Sequence, residues 1–304
     1  MYNKALTRRS FLHGAAVAAL TLPVGKILAQ QSDAQAEKKT VFRIGALDGV
    51  LSGKEGLTWE QDYRRGADLG FAGIELGVGK DYAQSELWNA EGRQRLRGFA
   101  QAAGIETPSI CLHSYWHFSF AANDEAIRNQ AVQLAREGAV AARQVGARNI
   151  LIPFTNPDNV PAATACERWI SGVKQAAPAA EQAGVVFCLE NVEVPFADKP
   201  EDIIAIVDAI GSPAVQVYYD PGNAVRSGND PLHAIPLLNQ RIAQVHVKEI
   251  KGKYIGDGIV PWPQIIRALR DIDYKGWLML ETDATDDAKA AATKNLATLH
   301  SYMV

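Results

Sequence analysis

The chain has 304 residues, 47% of them hydrophobic and 8% aromatic, with 31 Lys and Arg against 34 Asp and Glu for a formal charge of −3. That is enough apolar material for a substantial buried core, in one large domain or two small ones. An acidic balance without a basic run argues against nucleic acid as a partner.

The N-terminus is set aside before the fold is considered. Thr7-Arg8-Arg9-Ser10-Phe11-Leu12 is a twin-arginine pattern, followed by a weakly apolar run over 14–22 and by small residues ending in Ala34-Gln35-Ala36. Residues 1–36 therefore read as a bacterial twin-arginine export signal, with cleavage after Ala36 preferred to cleavage after Ala29. The export machinery is then a partner, and residues 37–304 form a periplasmic or otherwise exported mature protein. The apolar run is shorter than the roughly 20 residues a bilayer requires and polar sequence follows it, so no membrane anchor is expected. The first cysteine is Cys111, too far along for a lipid-modified leader. Loss of Lys4, Arg8, Arg9, Lys26 and Asp33 leaves the mature chain more acidic. Cys111, Cys166 and Cys188 are odd in number and lack metal-knuckle spacing. Cys111 and Cys188 lie in apolar runs, as small buried thiols do.

From residue 41 onward, short β-rich runs alternate with longer amphipathic stretches. Strands are expected over 41–47, 72–77, 108–113, 149–154, 184–191, 214–220, 242–248 and 276–281. Helices are expected over 59–69, 86–103, 124–145, 163–183, 201–210, 262–270 and 286–302. Gly70, Gly104, Gly146 and Gly184 stand where helices should stop. Eight strand-then-helix units predict an α/β chain folded as one (β/α)8 TIM barrel, parallel and eight-stranded. A doubly wound open sheet is the alternative, but Gly45-Ala46-Leu47-Asp48-Gly49 lacks the Gly-x-Gly-x-x-Gly spacing of a dinucleotide site.

Four of the later strands end on a potential metal ligand: Glu190, Asp220, His246 and Glu281, at intervals of 30, 26 and 35 residues. One carboxylate at a strand end ordinarily marks where the strand meets solvent. Four in successive units argue instead for convergence on the rim to which the C-terminal strand ends of a parallel barrel all point. Three carboxylates and one imidazole make a hard, oxygen-rich set for a divalent cation.

With these motifs the sequence resembles the xylose-isomerase-like barrels of the sugar isomerase/epimerase group, which include the tagatose-type 3-epimerases. The resemblance covers essentially the whole of 37–304. It is carried by Leu189-Glu190-Asn191, Asp220-Pro221-Gly222-Asn223, Val245-His246-Val247-Lys248-Glu249, Gly256-Asp257-Gly258 with Pro261-Trp262, and Gly276-Trp277-Leu278-Met279-Leu280-Glu281. It implies that Glu190, Asp220, His246 and Glu281 hold one divalent ion, commonly manganese, although the same set accepts magnesium, cobalt or zinc. It also implies that Glu190 and Glu281 are the catalytic acid/base pair. Glu75, His113, Asn223 and Lys248 are expected to bind the sugar, and Trp262, with Trp116, to wall one sugar face. Tagatose-type epimerases place a histidine where this chain has Asn223, and asparagine cannot carry a proton near neutral pH. Related DNA-repair endonucleases hold three metals and need more histidines than His113, His117, His233, His246 and His300 supply.

The expected activity is a metal-dependent sugar isomerase or epimerase working outside the cytoplasm on an unphosphorylated sugar, keto-sugar or keto-glycoside. Moving a proton beside a carbonyl requires a base, an acid and stabilisation of an enediolate oxygen. The same residues would also serve a lyase or hydrolase that eliminates from an oxidised 3-keto glycoside. A non-catalytic sugar-binding protein is the reading from another class, and two carboxylates on a metal are an unnecessary cost for binding alone. Whether the protein forms a homo-oligomer is open.

Overall fold

Strands of a parallel barrel are covered on both faces, so they read as apolar runs, and all eight expected runs become strands. The computed structural model describes residues 42–282 and 286–304. The strands are β1 (Arg43–Leu47), β2 (Gly73–Gly77), β3 (Ser109–Cys111), β4 (Asn149–Pro153), β5 (Val186–Glu190), β6 (Val215–Tyr219), β7 (Ile242–Val247) and β8 (Trp277–Leu280). They pair in parallel in sequence order and close between β8 and β1. The export signal expected over 1–36 lies outside the described residues. Within those residues no helix is long and apolar enough to cross a membrane.

The helices are α1 (Asp48–Ser52), α2 (Trp59–Leu69), α3 (Ala90–Ala103), α4 (Glu125–Val145), α5 (Ala162–Ala183), α6 (Pro200–Ile210), α7 (Pro221–Arg226), α8 (Pro231–Leu238), α9 (Trp262–Asp271) and α10 (Ala288–Tyr302). Their ends follow local chemistry. Thr58 and Gln61 form a reciprocal capping box at the start of α2. Gly70 and Gly146 end α2 and α4 at φ 93° and 92°, a left-handed turn that a Cβ would disfavour.

Three short helices depart from expectation. α1, α7 and α8 stand where the sequence suggested connection, and two of them start from an Asp cap followed by Pro: Asp220-Pro221 and Asp230-Pro231. The expected third strand is shortened because Pro108 has no N–H to donate and His113 opens a 3-10 turn over His113–Trp116. The expected helix over 86–103 divides at Asn89, whose side chain caps α3 by accepting from the Gly92 N–H at 2.7 Å.

Inside the barrel, alternation puts every second residue inward. The intervening residues Ile44, Ile74, Ile110, Ile150, Phe187, Val217 and Leu278 point outward and are buried beneath the helices, each worth about 1.5–3 kcal/mol relative to exposure. Gly45 faces Met279 so closely that a Cβ there would lie 2.7 Å from the Met279 sulfur and 2.9 Å from the Gly73 carbonyl. The side chain on β8 thus fills the space that β1 leaves empty. On β6 and β7 the alternation brings Tyr218 and Gln244 into one interior layer, their polar atoms 3.0 Å apart. That layer is the floor of the site.

Candidate metal centre and active site

Glu190 ends β5, Asp220 follows β6, His246 lies in β7 and Glu281 follows β8, so closure of the barrel alone brings them together. One ligand atom from each lies within 4.8 Å of all the others. Glu190, Asp220 and His246 are buried, and the Glu281 side chain is 24% exposed, facing the cleft.

The imidazole is held from below. Its Nε2 is 2.9 Å from Glu75 Oε1, and its ring lies against Tyr218 with centroids 4.4 Å apart. Glu75 Oε2 accepts from Ser109 Oγ and from Tyr218 OH, and both hydroxyls accept in turn from Gln244 Nε2. Asn149 closes the chain by donating to Gln244 Oε1 at 2.6 Å. Nδ1 faces the other way, 2.9 Å from Glu190 Oε1 and 3.0 Å from Glu281 Oε2. A carboxylate behind one ring nitrogen and converging oxygens at the other is the arrangement that orients a metal-ligating histidine.

Asp220 is fixed on both sides. Its backbone N–H donates to Asn191 Oδ1 and its carbonyl accepts from Asn191 Nδ2, both at 2.8 Å. Its Oδ1 caps α7 through the Asn223 N–H at 2.9 Å. Its Oδ2 and Glu281 Oε2 are buried with no aligned hydrogen bond among the described residues. Lys248 Nζ forms an ion pair with each of these two oxygens at 2.7 Å. Three carboxylates and an imidazole whose ligand atoms converge within 4.8 Å of one another make the hard N/O donor set of a divalent ion. The residues fit such an ion, with Glu190, Asp220, His246 and Glu281 as its holders.

The electrostatics separate the two glutamates. Burial raises the Glu190 carboxyl to about 7, against the pull of His246 and Lys248. Burial opposes ionisation of Glu281 as well, but the His246 and Lys248 cations outweigh it and hold that carboxyl well below the usual range. Burial lowers the Lys248 ammonium less than Asp220, Glu281 and Glu190 raise it, so it stays charged.

Two expected sugar contacts are corrected. Glu75 is fully buried beneath His246 and does not reach the cleft, because it sits in mid-strand rather than at the rim. Trp262 is fully buried at the start of α9. Its indole donates to the Lys248 carbonyl at 3.1 Å, so it braces β7 and walls nothing. His113, Asn223 and Lys248 line the cleft, as does Trp116, which is 52% exposed.

Sequence reasoning gave no role to four residues. Asn191 and Gln244 are described above, and Arg226 borders the cleft from the last turn of α7. Asp48, at the mouth of β1, accepts from Trp59 Nε1 at 2.5 Å and from the Gly49 and Gly77 N–H groups. Asp48 and Asn191 were visible as polar residues directly after apolar strands.

The comparisons with known proteins agree with this fold. The L-ribulose-5-phosphate 3-epimerase UlaE of Escherichia coli (strain SE11) is 26% identical over 253 residues, covering 79% of this chain and 88% of the relative. The D-psicose 3-epimerase of Clostridium cellulolyticum H10, solved with D-tagatose, superposes with a TM-score of 0.76 at 18% identity, covering 86% of this chain and 99% of that one. The E. coli 3-keto-D-glucoside 4-epimerase YcjR gives 0.72 at 16% identity, with 86% and 100% coverage. The model of the xylose isomerase-like TIM barrel family matches residues 63–302. With that match over most of the chain, and with the closed parallel barrel, the protein belongs to the xylose isomerase-like TIM barrel family.

Proposed function

We propose that the protein is a divalent-metal-dependent sugar isomerase or epimerase that moves a proton at the carbon beside a carbonyl, on an unphosphorylated sugar, keto-sugar or keto-glycoside. The observation that carries this reading is the Glu190–Asp220–His246–Glu281 cluster on the cleft floor. The names of the relatives support the reaction class, since all three reported above are sugar epimerases.

A bound divalent ion would supply Lewis-acid polarisation of the substrate carbonyl and its neighbouring hydroxyl. Glu190 and Glu281 reach the cluster from β5 and from beyond β8, with oxygens 2.9 and 3.0 Å from His246 Nδ1. One removes the proton and the other returns it to the opposite face of the carbon, as an epimerase requires. The fixed charge of Lys248, 2.7 Å from Asp220 and from Glu281, would offer a donor to developing negative charge on the substrate oxygen. Manganese is the preferred ion, with magnesium, cobalt and zinc as alternatives for the same ligands.

Absence of a phosphate group from the substrate follows from the proposed export of residues 37–304, because sugar phosphates are cytoplasmic metabolites. The names of the relatives divide on this point, since UlaE is named for a sugar phosphate and the psicose and 3-keto-glucoside epimerases are not.

The test is elemental analysis of the purified protein beside a Glu190→Gln/Glu281→Gln double variant, followed by incubation of both in D₂O with keto-sugars and keto-glycosides. About one metal per chain, with deuterium entering the sugar only in the wild type, is expected. Turnover of a sugar phosphate with free sugars and glycosides inert would overturn the substrate assignment. Cleavage of a glycosidic bond in place of simple exchange would select the eliminating reaction on the same residues.

A further inference from the structure

The rim cleft has two lobes that meet at the carboxylate–histidine cluster. The first, about 320 Å³, is walled by Trp116, Pro153, Val192 and Val194 beside Glu190 and Asn223. The second, about 430 Å³, is lined by Leu47, Gly49, Val50, Gly252, Lys253 and Thr282. Arg226, Lys248 and Glu281 border both.

Small-molecule sites occupy roughly 300–1,000 Å³, so the first lobe has room for one sugar ring against its aromatic and aliphatic wall. The second lobe is larger, and a single ring at the cluster would leave it empty. We propose that the second lobe is a subsite for a second sugar unit joined glycosidically to the reacting ring, so that the substrate is a glycoside rather than a free sugar. The inference rests on the reading of the cluster as the reacting centre.

The chemistry of the second lobe matches a polyhydroxyl partner. Arg226 and Lys253 offer donors at its edge. Arg226 also pairs with Glu193 at 3.4 Å, and Glu249, the carboxylate that lines this lobe beside Lys253, is engaged by backbone donors. Its two oxygens accept from the Ile250, Gly256 and Val260 N–H groups at 2.9–3.0 Å and fix the loop after β7.

Gly49 adds an independent observation. It sits in α1 without a positive φ, and a Cβ built on it meets nothing within 4 Å although the residue lines the lobe. Neither backbone geometry nor packing requires glycine there, and glycine weakens a helix relative to alanine. An empty position beside the lobe is what an incoming second ring needs.

The experiment compares methyl α- and β-3-keto-glucosides with the 3-keto forms of maltose, cellobiose and trehalose, all oxidised on a glucose ring. Calorimetric titration reads affinity without turnover, and deuterium exchange reads the chemistry. The wild type should bind at least one disaccharide tenfold or more tightly than the matching methyl glycoside. Gly49→Trp should bring that ratio to threefold or less with no fall in unfolding temperature, and Lys253→Ala should reduce it less. Wild-type affinities within threefold across the panel, no binding of any member, or a ratio unmoved by Gly49→Trp would overturn the subsite. Tight disaccharide binding without exchange would instead sink the proton-transfer reading and leave the subsite standing.

Discussion

Glu75→Gln tests whether the carboxylate beneath the imidazole sets up the metal site. Glu75 Oε1 pairs with His246 Nε2 at 2.9 Å, and Oε2 accepts from Ser109 Oγ and Tyr218 OH. Both hydroxyls already receive from Gln244 Nε2, at 2.6 and 3.0 Å, so Glu75 is where they place their own protons. Glutamine has one accepting and one donating end. If its carbonyl keeps His246, its amide directs protons at two hydroxyls that have donors already. If it flips, its amide faces Nε2 and drives the imidazole to the tautomer protonated on Nδ1, the nitrogen aimed at Glu190 and Glu281. Loss of such an outer partner costs about 10- to 100-fold in metal affinity, or roughly 1.4–2.8 kcal/mol. The stranded polar atoms remove a further ~1–3 kcal/mol of folding stability. Manganese titration by calorimetry in a metal buffer reads the first quantity, and urea unfolding with chelator present reads the second. A metal affinity within threefold of the wild type would refute the assignment of Glu75 as the residue that fixes His246.

Lys248→Met removes the ammonium that lies 2.7 Å from both Asp220 Oδ2 and Glu281 Oε2. The metal-free protein should lose about 3–5 kcal/mol, and manganese should raise the Tm of the variant more than that of the wild type; equal shifts would count against a structural role for the cation. Asp62, in α2, is 2% exposed with one carboxylate oxygen unpartnered among the described residues. Burial and the nearby Asp48 charge push it up to about 8 against Arg65. A folded-state value above the unfolded one means that stability is intact below about pH 4 and falls as pH rises toward 8. Asp62→Asn should therefore be more stable than the wild type by on the order of 2–4 kcal/mol at pH 8 and show no gain at pH 4, and parallel urea midpoints at the two pH values would rule this out.

The barrel and the ligand quartet were legible because each depends on local pattern. An apolar run ending in Glu190, Asp220, His246 or Glu281 is visible within a few residues, and the parallel topology then carries all four to one rim. The floor beneath them was not legible. Ser109, Tyr218 and Gln244 are neutral polar residues inside apolar strands, and their mutual bonds join positions 26 and 135 residues apart, which only closure of the barrel brings together. Glu75 did carry a signal. A carboxylate at the centre of Gly73-Ile74-Glu75-Leu76-Gly77 is too deep for a strand end and must find a buried partner. Asp220-Pro221-Gly222-Asn223 was read as a site motif and is also a helix start. Asp220 divides the two tasks between its oxygens, Oδ1 capping α7 and Oδ2 facing the cluster.

That division bears on Asn223, the position at which the tagatose-type pattern expects histidine. Its backbone N–H is held by Asp220, its Nδ2 donates to the Asn191 carbonyl at 2.9 Å, and its Oδ1 lies 3.3 Å from Lys248 Nζ. The amide therefore has one donor hydrogen left for a substrate hydroxyl and no titratable group to offer. Lys248, directly after β7, brings a permanent charge to the same part of the cleft, and Trp262 and Asn223 hold it at the carbonyl and at the ammonium. The charged donor of this part of the cleft is thus one that does not titrate near neutral pH, and it is tied to Asp220 and Glu281 at 2.7 Å each.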